Sequence, residues 1–413
     1  MRYLSSAAIA GLMLPALATA ALADCPDFGK GSLRLLSNEH ASVEIAVDRI
    51  AECATADFTV KANLNTEHAT IQGPALSVSP SEYNVVVLAN GSLTPLLNAN
   101  LVRPLDDLIA KYGDQLNPNQ MIKINGKTMA IAFMANAQHF FYREDVLEQA
   151  GVPVPTTYEE VIEASKAIRD QGIMQYPLAA TMIPDWSLAQ EFVNMYMGRG
   201  GEFFEPGSAK PALDMDKAIA TLEMLKEMST YMNPDYLTFD TDAIVPIWEA
   251  GEVAMANLWG SQASSFLPEN SPSPEIAENT RFAAAPSVGG QGVPATTVWW
   301  DGFAIPKNIP DEDAEIAFRA MMYGLSPEMV ADNPRAAVWL IKGYEPTPAA
   351  KGIVESVQGG APSYSMLPYM SLMHDTFGAN LAAFMTGGKS AEETISDVLR
   401  DYETSARQAG FLN

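Results

Sequence analysis

Short apolar strands alternate with amphipathic helices along the first part of the chain, and this alternation sets the fold class. Val85 to Leu88 are four consecutive apolar residues, which suits a strand covered on both faces in a parallel sheet. Strands are also predicted at Ser32–Leu36 and Phe58–Leu64, with a helix over 41–54 between them and another from about Leu93. Strand–helix–strand units of this kind build a sheet covered by helices. The sequence therefore predicts an α/β protein.

Local start and turn signals continue the pattern. Asn125-Gly126 predicts the turn of a β-hairpin, since both residues tolerate the left-handed conformation that such turns need. Thr157 with Glu160, and Ser390 with Glu393, have the spacing of capping boxes, so a helix is expected to begin at each.

Residues 1–23 are typical of a cleaved signal peptide. Arg2 precedes an apolar stretch from 4 to about 17, and residues 21–23 have the small-x-small pattern of a cleavage site. The stretch is short for a membrane span, and a buried N-terminal helix is the alternative. Asp24 stands where a lipid-attachment site needs a small residue before Cys25. We expect export to the periplasm with release.

The chain has two cysteines, Cys25 and Cys53. In an oxidising compartment they can form a disulfide that closes a 28-residue loop. Loop-closure entropy gives such a bond about 3.5 kcal/mol. Two free buried thiols are the alternative. Because neither cysteine belongs to a CxxC motif, redox catalysis and zinc binding have no support.

Composition and charge exclude several partners. With 25 Lys and Arg against 50 Asp and Glu, the chain has a formal charge of −25 and repels nucleic acid and anionic lipid. Its four histidines show no metal-ligand spacing, and we expect neither a metal nor another cofactor. A chain of 413 residues exceeds one comfortable core, so two lobes are expected.

Several segments occur in a distinctive order. They are Asn84–Leu105, Asn125–Asp145, Gly151–Glu160, Ala250–Met255, Trp300–Lys307 and Tyr323–Glu328. In this order and spacing they resemble the extracellular solute-binding proteins of ABC importers, the family that includes maltodextrin-binding proteins. The resemblance covers nearly all of the chain after the leader.

The resemblance implies the type II periplasmic binding protein fold, in which two hinged α/β lobes enclose a central cleft. One lobe would comprise 24–135 plus about 302–350, and the other 136–301 plus about 351–413. It further implies a monomer that delivers its ligand to an ABC permease and catalyses no reaction. The family's ligand loop often carries charge, whereas here it reads Asn90-Gly91-Ser92, which argues against a long maltodextrin.

Sugars and polyols present flat C–H faces rimmed by hydroxyls, so a site for them needs aromatic planes and polar side chains. By family position, three tryptophans are candidates for the cleft, namely Trp186, Trp259 and Trp300. Burial in the core is the alternative for each. Trp248 and Trp339 fall within helical apolar patterns and are expected to pack in the core.

Polar candidates follow the strands of the first lobe. Asn90 and Ser92 follow the strand at 85–88, and Glu39 and His40 follow the first strand in the equivalent place. The carboxyl ends of parallel strands are where α/β sheets bind ligands. An ordinary turn is the alternative for residues 90–92.

Further polar candidates lie at the lobe crossings. Asn136 and Gln138 are flanked by apolar residues on the first crossing, so their amides need partners, and ligand hydroxyls are one possibility. Asp301 neighbours Trp300 on the return crossing, and His374 lies on the segment that the family folds over the cleft.

The leading hypothesis is a binding protein for a sugar, polyol or small oligosaccharide. An alternative keeps the fold and cages a quaternary ammonium compatible solute among the tryptophans by cation–π contacts. A remoter alternative is a secreted carbohydrate-active enzyme, which would use two carboxylates such as Asp301 and Glu39.

Overall fold

The structure, a computed structural model, describes residues 25–65 and 67–413, and within them the chain forms two β-sheets flanked by helices. The predicted signal peptide lies outside the described residues. The strands are β1 (Gly31–Ser37), β2 (Phe58–Leu64), β3 (Val85–Ala89), β4 (Met121–Ile124), β5 (Lys127–Asn136), β6 (Gln138–Arg143), β7 (Leu178–Ala180), β8 (Met255–Trp259), β9 (Thr280–Ala283), β10 (Trp299–Ala304) and β11 (Val338–Trp339).

The helices cover both sheets, and no described helix is long and apolar enough to cross a membrane. They are α1 (Ala41–Ala51), α2 (His68–Ser77), α3 (Asn90–Asn98), α4 (Asp106–Tyr112), α5 (Glu144–Ala150), α6 (Tyr158–Asp170), α7 (Trp186–Gly198), α8 (Met215–Ser229), α9 (Thr241–Glu249), α10 (Pro274–Ala277), α11 (Asp311–Gly324), α12 (Pro327–Asp332), α13 (Lys351–Gln358), α14 (Met370–Met385) and α15 (Ala391–Gln408).

The first sheet has the order β11-β5-β10-β3-β1-β2, with β4 paired to β5. β1 runs parallel to β2 and β3, which confirms the predicted parallel arrangement. β10 runs antiparallel between β3 and β5, with Asp301 opposite Ala89. Since β10 enters where β3 ends, its first residues lie at the carboxyl edge of the parallel strands.

The second sheet has the order β7-β8-β6-β9. Ala137 alone separates the end of β5 from the start of β6, so the chain passes between the sheets in one residue. The chain comes back before Trp299, the first residue of β10. Val298 also forms an isolated parallel bridge with Ser363, which brings a third segment to the same region.

Several local predictions are confirmed. Asn125 and Gly126 have φ of 50° and 78° at the β4–β5 turn. The capping boxes of Thr157 and Ser390 begin α6 and α15. Because the capping side chain and the acid three residues later satisfy each other's backbone N–H groups, these starts are encoded locally.

The two cysteines are bonded, with Cα atoms 5.5 Å apart, which confirms the predicted disulfide. It ties the start of the described chain to the turn after α1. Trp248 and Trp339 are 1% and 3% exposed, as expected of core residues. The helical pattern assigned to Trp339 was wrong, because this residue lies in β11 and pairs with Met134 of β5.

Candidate functional site

Three indole rings meet near the crossing between the two sheets, and we call Trp186, Trp259 and Trp299 the aromatic corner. The rings of Trp186 and Trp259 lie nearly parallel, with centroids 6.1 Å apart and planes at 26°. The Trp299 ring stands edge-on to both, at 5.5 Å and 67° from Trp186 and at 6.1 Å and 79° from Trp259. The corner therefore presents two walls at a steep angle.

The ends of secondary-structure elements bring these rings together. Trp259 ends β8 opposite Gln138, and Trp299 begins β10 opposite Asn136, so both rings flank the crossing at Ala137. Trp186 is the first residue of α7 and is 40% exposed.

Adjacent residues of a strand point to opposite faces of the sheet, so the side chains of Trp299 and Trp300 lie on opposite sides of β10. Trp299 joins the aromatic corner, whereas the half-buried Trp300 packs against the apolar cluster beneath α2 and α3. The structure thus places Trp299 in the position that the sequence analysis assigned to Trp300. The adjacent pair was the available signal, but residue type alone does not reveal which ring faces the cleft.

Unused hydrogen-bond donors lie in the corner, and an unused acceptor, Asp301, lies two residues after Trp299 in β10. In the described part of the chain, the indole N–H groups of Trp186 and Trp259 donate to no protein acceptor, whereas Trp299 Nε1 donates to Thr297 Oγ1 at 3.0 Å. The half-buried carboxyl of Asp301 has no protein hydrogen-bond or ion-pair partner among the described residues. Burial raises the pKa of Asp301 to about 7, since no nearby donor or cation compensates for lost hydration.

A cavity of about 580 Å³ lies between α2 and α3 on one side and two rings of the corner, Trp186 and Trp299, on the other. Its walls include Gln72, Ser92, Trp186, Trp299, Tyr364 and His374. No lysine or arginine is found among the described residues that line it, and desolvation raises the pKa of the lining carboxyl of Asp375. No group of three or more potential metal ligands occurs in residues 25–65 and 67–413. The lining of the cavity is therefore mainly apolar and aromatic, with a few polar side chains.

Two predicted residues of the ligand loop bond to the protein itself. Asn90 is buried, its Oδ1 accepts from Trp300 N at 2.9 Å, and its Nδ2 donates to the carbonyl oxygen of Val298 at 3.3 Å. Asn90 therefore ties the start of α3 to the return crossing. Ser92 Oγ accepts from Ala89 N at 3.0 Å and satisfies the start of the same helix.

The predicted residues of the first crossing also have protein partners. Asn136 Oδ1 accepts from Ser261 N at 3.2 Å. Gln138 is fully buried, donates to Glu191 Oε1 at 2.8 Å and accepts from Asn194 Nδ2 at 2.6 Å. The structure therefore places the Gln138 amide beneath the cleft rather than at its surface.

A buried polar network extends from Gln138 to the aromatic corner. Asn194 Oδ1 accepts from Thr297 N at 2.9 Å, and Thr297 Oγ1 in turn accepts from the Trp299 indole. Burial raises the pKa of Glu191, at the far end of this network, to about 7. The network supports the Trp299 ring from below.

Of the remaining predicted residues, His374 lines the cavity, whereas Glu39 and His40 are not among its lining residues. Both ring nitrogens of His374 have partners: Nε2 lies 2.9 Å from the Trp186 carbonyl oxygen and Nδ1 lies 3.0 Å from the Tyr364 hydroxyl. His40 is half-buried beyond β1, and burial, with a smaller effect of His68, lowers its pKa to about 4. Glu39 is exposed beside it.

Sequence reasoning missed Tyr364 and Asp375 as well as Trp299. Tyr364 and Asp375 lie on the segment around α14, which contributes to the cavity through contacts distant in sequence. The resemblance had directed attention to His374 on this segment, but no local pattern distinguishes its neighbours.

Comparison with known proteins identifies the fold and family. A family model described as bacterial extracellular solute-binding protein matches residues 72–331. The chain is 26% identical over 362 residues to the mannitol-binding protein of Pseudomonas aeruginosa, with 78% of each chain covered. It matches a maltose-bound MalE3 of T. maritima with a TM-score of 0.77 and 16% identity, over 90% of this chain and 99% of the other.

Another match is an ABC transporter solute-binding protein of Agrobacterium radiobacter in complex with ribitol, with a TM-score of 0.76 and 20% identity over 91% and 99% of the chains. These structural matches confirm the expected two-lobed α/β fold. With the family match over most of its length, the chain belongs to the bacterial extracellular solute-binding proteins.

Proposed function

We propose that this protein captures a single polyol or small sugar and delivers it to the permease of an ABC importer. The observation that best supports this proposal is the aromatic corner, with two free indole N–H groups and the unpaired carboxyl of Asp301 beside it. The names of the similar proteins, a mannitol-binding protein and a ribitol complex, support the same ligand class.

The chemistry of the corner suits a neutral hydroxylated guest. A C–H face packs on an indole plane, and the N–H groups of Trp186 and Trp259 donate to hydroxyl oxygens. Asp301, once ionised, accepts from hydroxyl protons with charge-assisted hydrogen bonds. A cavity of about 580 Å³ lies within the usual size range for one small ligand.

We further propose that two lobes close on the ligand by hinge motion. One lobe comprises 24–135 plus about 302–350, and the other comprises 136–301 plus about 351–413. Four apolar core clusters support it, because each draws nearly all its buried residues from one of these two sets. The closed monomer would then engage the permease, and a separate subunit would hydrolyse ATP.

We further propose that the protein acts in the periplasm after removal of residues 1–23. Membership of an extracellular family supports this location. The Cys25–Cys53 disulfide also supports it, because such bonds persist in oxidising compartments.

The test is calorimetric titration with D-mannitol, ribitol, D-glucose and maltose. We expect one-to-one binding of a polyol or monosaccharide without turnover, and a higher melting temperature with ligand. Trp259→Ala should weaken binding at least tenfold, whereas the buried Trp248→Phe should leave affinity unchanged. Product formation, or unchanged affinity of Trp259→Ala, would contradict the proposal.

A second candidate ligand is a quaternary ammonium compound. It is favoured by two carboxyls, Asp375 in the cavity lining and Asp301 two residues after Trp299 in β10, and by tryptophan walls. The described lining residues include no lysine or arginine. Choline and glycine betaine therefore belong in the same titration. Binding of choline in place of polyols, abolished by Asp301→Asn, would select this candidate.

A further inference from the structure

We propose that His374 is a positioning residue for ligand binding, which holds Trp186 in one orientation through a backbone hydrogen bond and a ring stack at once. This inference rests on the proposed function, because it assigns Trp186 to the ligand wall. Trp186 is the most exposed ring of the aromatic corner, so it has the greatest need of external support.

The hydrogen bonds of His374 fix its protonation form. The Trp186 carbonyl oxygen can only accept, so Nε2, 2.9 Å away, carries the proton. Nδ1 is then an acceptor, and the Tyr364 hydroxyl donates to it at 3.0 Å. Burial lowers the pKa of His374 to about 4, so the imidazole is neutral at pH 7 and keeps this tautomer.

The ring of His374 also stacks on the indole whose carbonyl it binds. The His374 and Trp186 centroids are 4.6 Å apart and the planes are inclined by 15°. One indole face is thus covered by a buried imidazole. A ligand then meets a plane that is already fixed and loses no further side-chain entropy in ordering it.

A second contact from α14, the helix that contains His374, supports the turn that precedes Trp186. Gly378 follows four residues later on the same face of α14. A Cβ at Gly378 would lie 2.8 Å from the carbonyl oxygen of Asp185, so the helix backbone packs closely on the turn before Trp186. Asp185 in turn caps α7 by accepting from Ser187 N at 2.6 Å.

Tyr364 extends the effect of His374 to the other wall of the corner. Its ring stacks on Trp299 with centroids 4.0 Å apart and planes at 28°. The hydroxyl on this ring donates to His374 Nδ1. A single imidazole therefore links Trp186 and Trp299, and it helps to set the angle between the two walls.

The experiment uses His374→Ala, His374→Gln and His374→Phe. Glutamine can retain a donor and an acceptor without the ring, and phenylalanine retains a ring without either hydrogen bond. The matched control is His139→Phe, since His139 is also fully buried and stacked, with its centroid 4.6 Å from that of Phe141 and planes at 16°, but lies in β6 away from the lining of the cavity.

Two quantities are measured for each variant. The first is the affinity for D-mannitol by calorimetry. The second is the ligand-free emission of Trp186, obtained by subtracting the spectrum of the same variant that also carries Trp186→Phe. Circular dichroism establishes that each variant is folded. If His374→Ala does not fold, His374→Gln is the milder substitution that still tests the inference.

We expect His374→Ala to weaken D-mannitol binding about tenfold, the effect of losing one buried hydrogen bond, and to red-shift Trp186 emission. His374→Gln and His374→Phe should each give a smaller loss, and His139→Phe none. Wild-type affinity and emission in His374→Ala would overturn the inference, as would an equal loss in His139→Phe. If the wild type binds no polyol, the proposed function fails, while Trp186 emission still decides whether His374 fixes that ring.

Discussion

Replacement of Glu191 by glutamine should stabilise the protein at pH 8 and leave its stability nearly unchanged at pH 4.5. Glu191 is 1% exposed in α7, and its Oε1 accepts from Thr181 Oγ1 at 2.6 Å and from Gln138 Nε2 at 2.8 Å. These donors offset only part of the lost hydration, so burial raises its pKa from 4.5 to about 7.

The sign follows from proton binding in the two states. Between pH 4.5 and 7 the folded state retains a proton on Glu191 that the unfolded state releases, so stability falls as pH rises through this window. Above pH 7 the whole difference is expressed, and a shift of this size corresponds to about 3 kcal/mol. Glutamine resembles the protonated acid at every pH, so the variant should lack this loss.

The assay is urea unfolding of wild type and Glu191→Gln at pH 4.5, 6, 7 and 8. The advantage of the variant should grow from about zero to about 3 kcal/mol across the series. Glu223→Gln, an exposed change of the same kind on α8, is the control and should show no such trend. A variant that follows the wild-type pH dependence, or is less stable at pH 8, would refute the reasoning.

Three further predictions concern the disulfide, the core and the cleft. Reducing Cys25–Cys53 or changing both residues to serine should cost about 3.5 kcal/mol in urea unfolding, and no loss would show that loop closure is unimportant. Burial lowers the pKa of His139 to about 3, so its contribution to stability is full above pH 6.5 and is lost as pH falls. On acidification to pH 4, His139→Phe should therefore lose about 3 kcal/mol less unfolding free energy than the wild type. An equal loss in both proteins would contradict this prediction. Polyol affinity should rise between pH 6 and 8 as Asp301 ionises, and titrations of Asp301→Asn should show a lower affinity without that rise; an unchanged slope would remove Asp301 from the site.

The fold was largely predictable because its signals are local. Phe58–Leu64 was predicted with the bounds that β2 has, and both capping boxes begin helices. The helix expected from about Leu93 begins at Asn90 instead, because the Ser92 side chain caps the helix from within its first turn. The sequence Asn-Gly-Ser is also typical of a turn, and this is why the prediction began the helix too late. The place of β10 between β3 and β5 depends on contacts distant in sequence, and only the resemblance indicated a return strand.

The site was less predictable, because residue type does not fix direction or partner. Trp299 and Trp300 are chemically identical neighbours, and only the strand's parity decides which of them reaches the corner. The amides of Asn136 and Gln138 were expected to need partners, and both have them. Asn90, predicted at the ligand loop, is also hydrogen-bonded. Their partners belong to the protein, and nothing in the surrounding sequence reveals this.

These hydrogen bonds of the amides explain how the cleft can be preorganised for a small ligand. Asn90 fixes the start of α3 against the return crossing, and Gln138 anchors the network below Trp299, so hydrogen bonds within the protein hold these side chains in place. Among the described residues, the groups left free include the indole N–H groups of Trp186 and Trp259 and the carboxyls of Asp301 and Asp375, on side chains with few rotamers. A polyol then loses its own freedom on binding while the protein loses little, which favours affinity. Specificity should accordingly depend on the angle between the indole walls more than on any single amide.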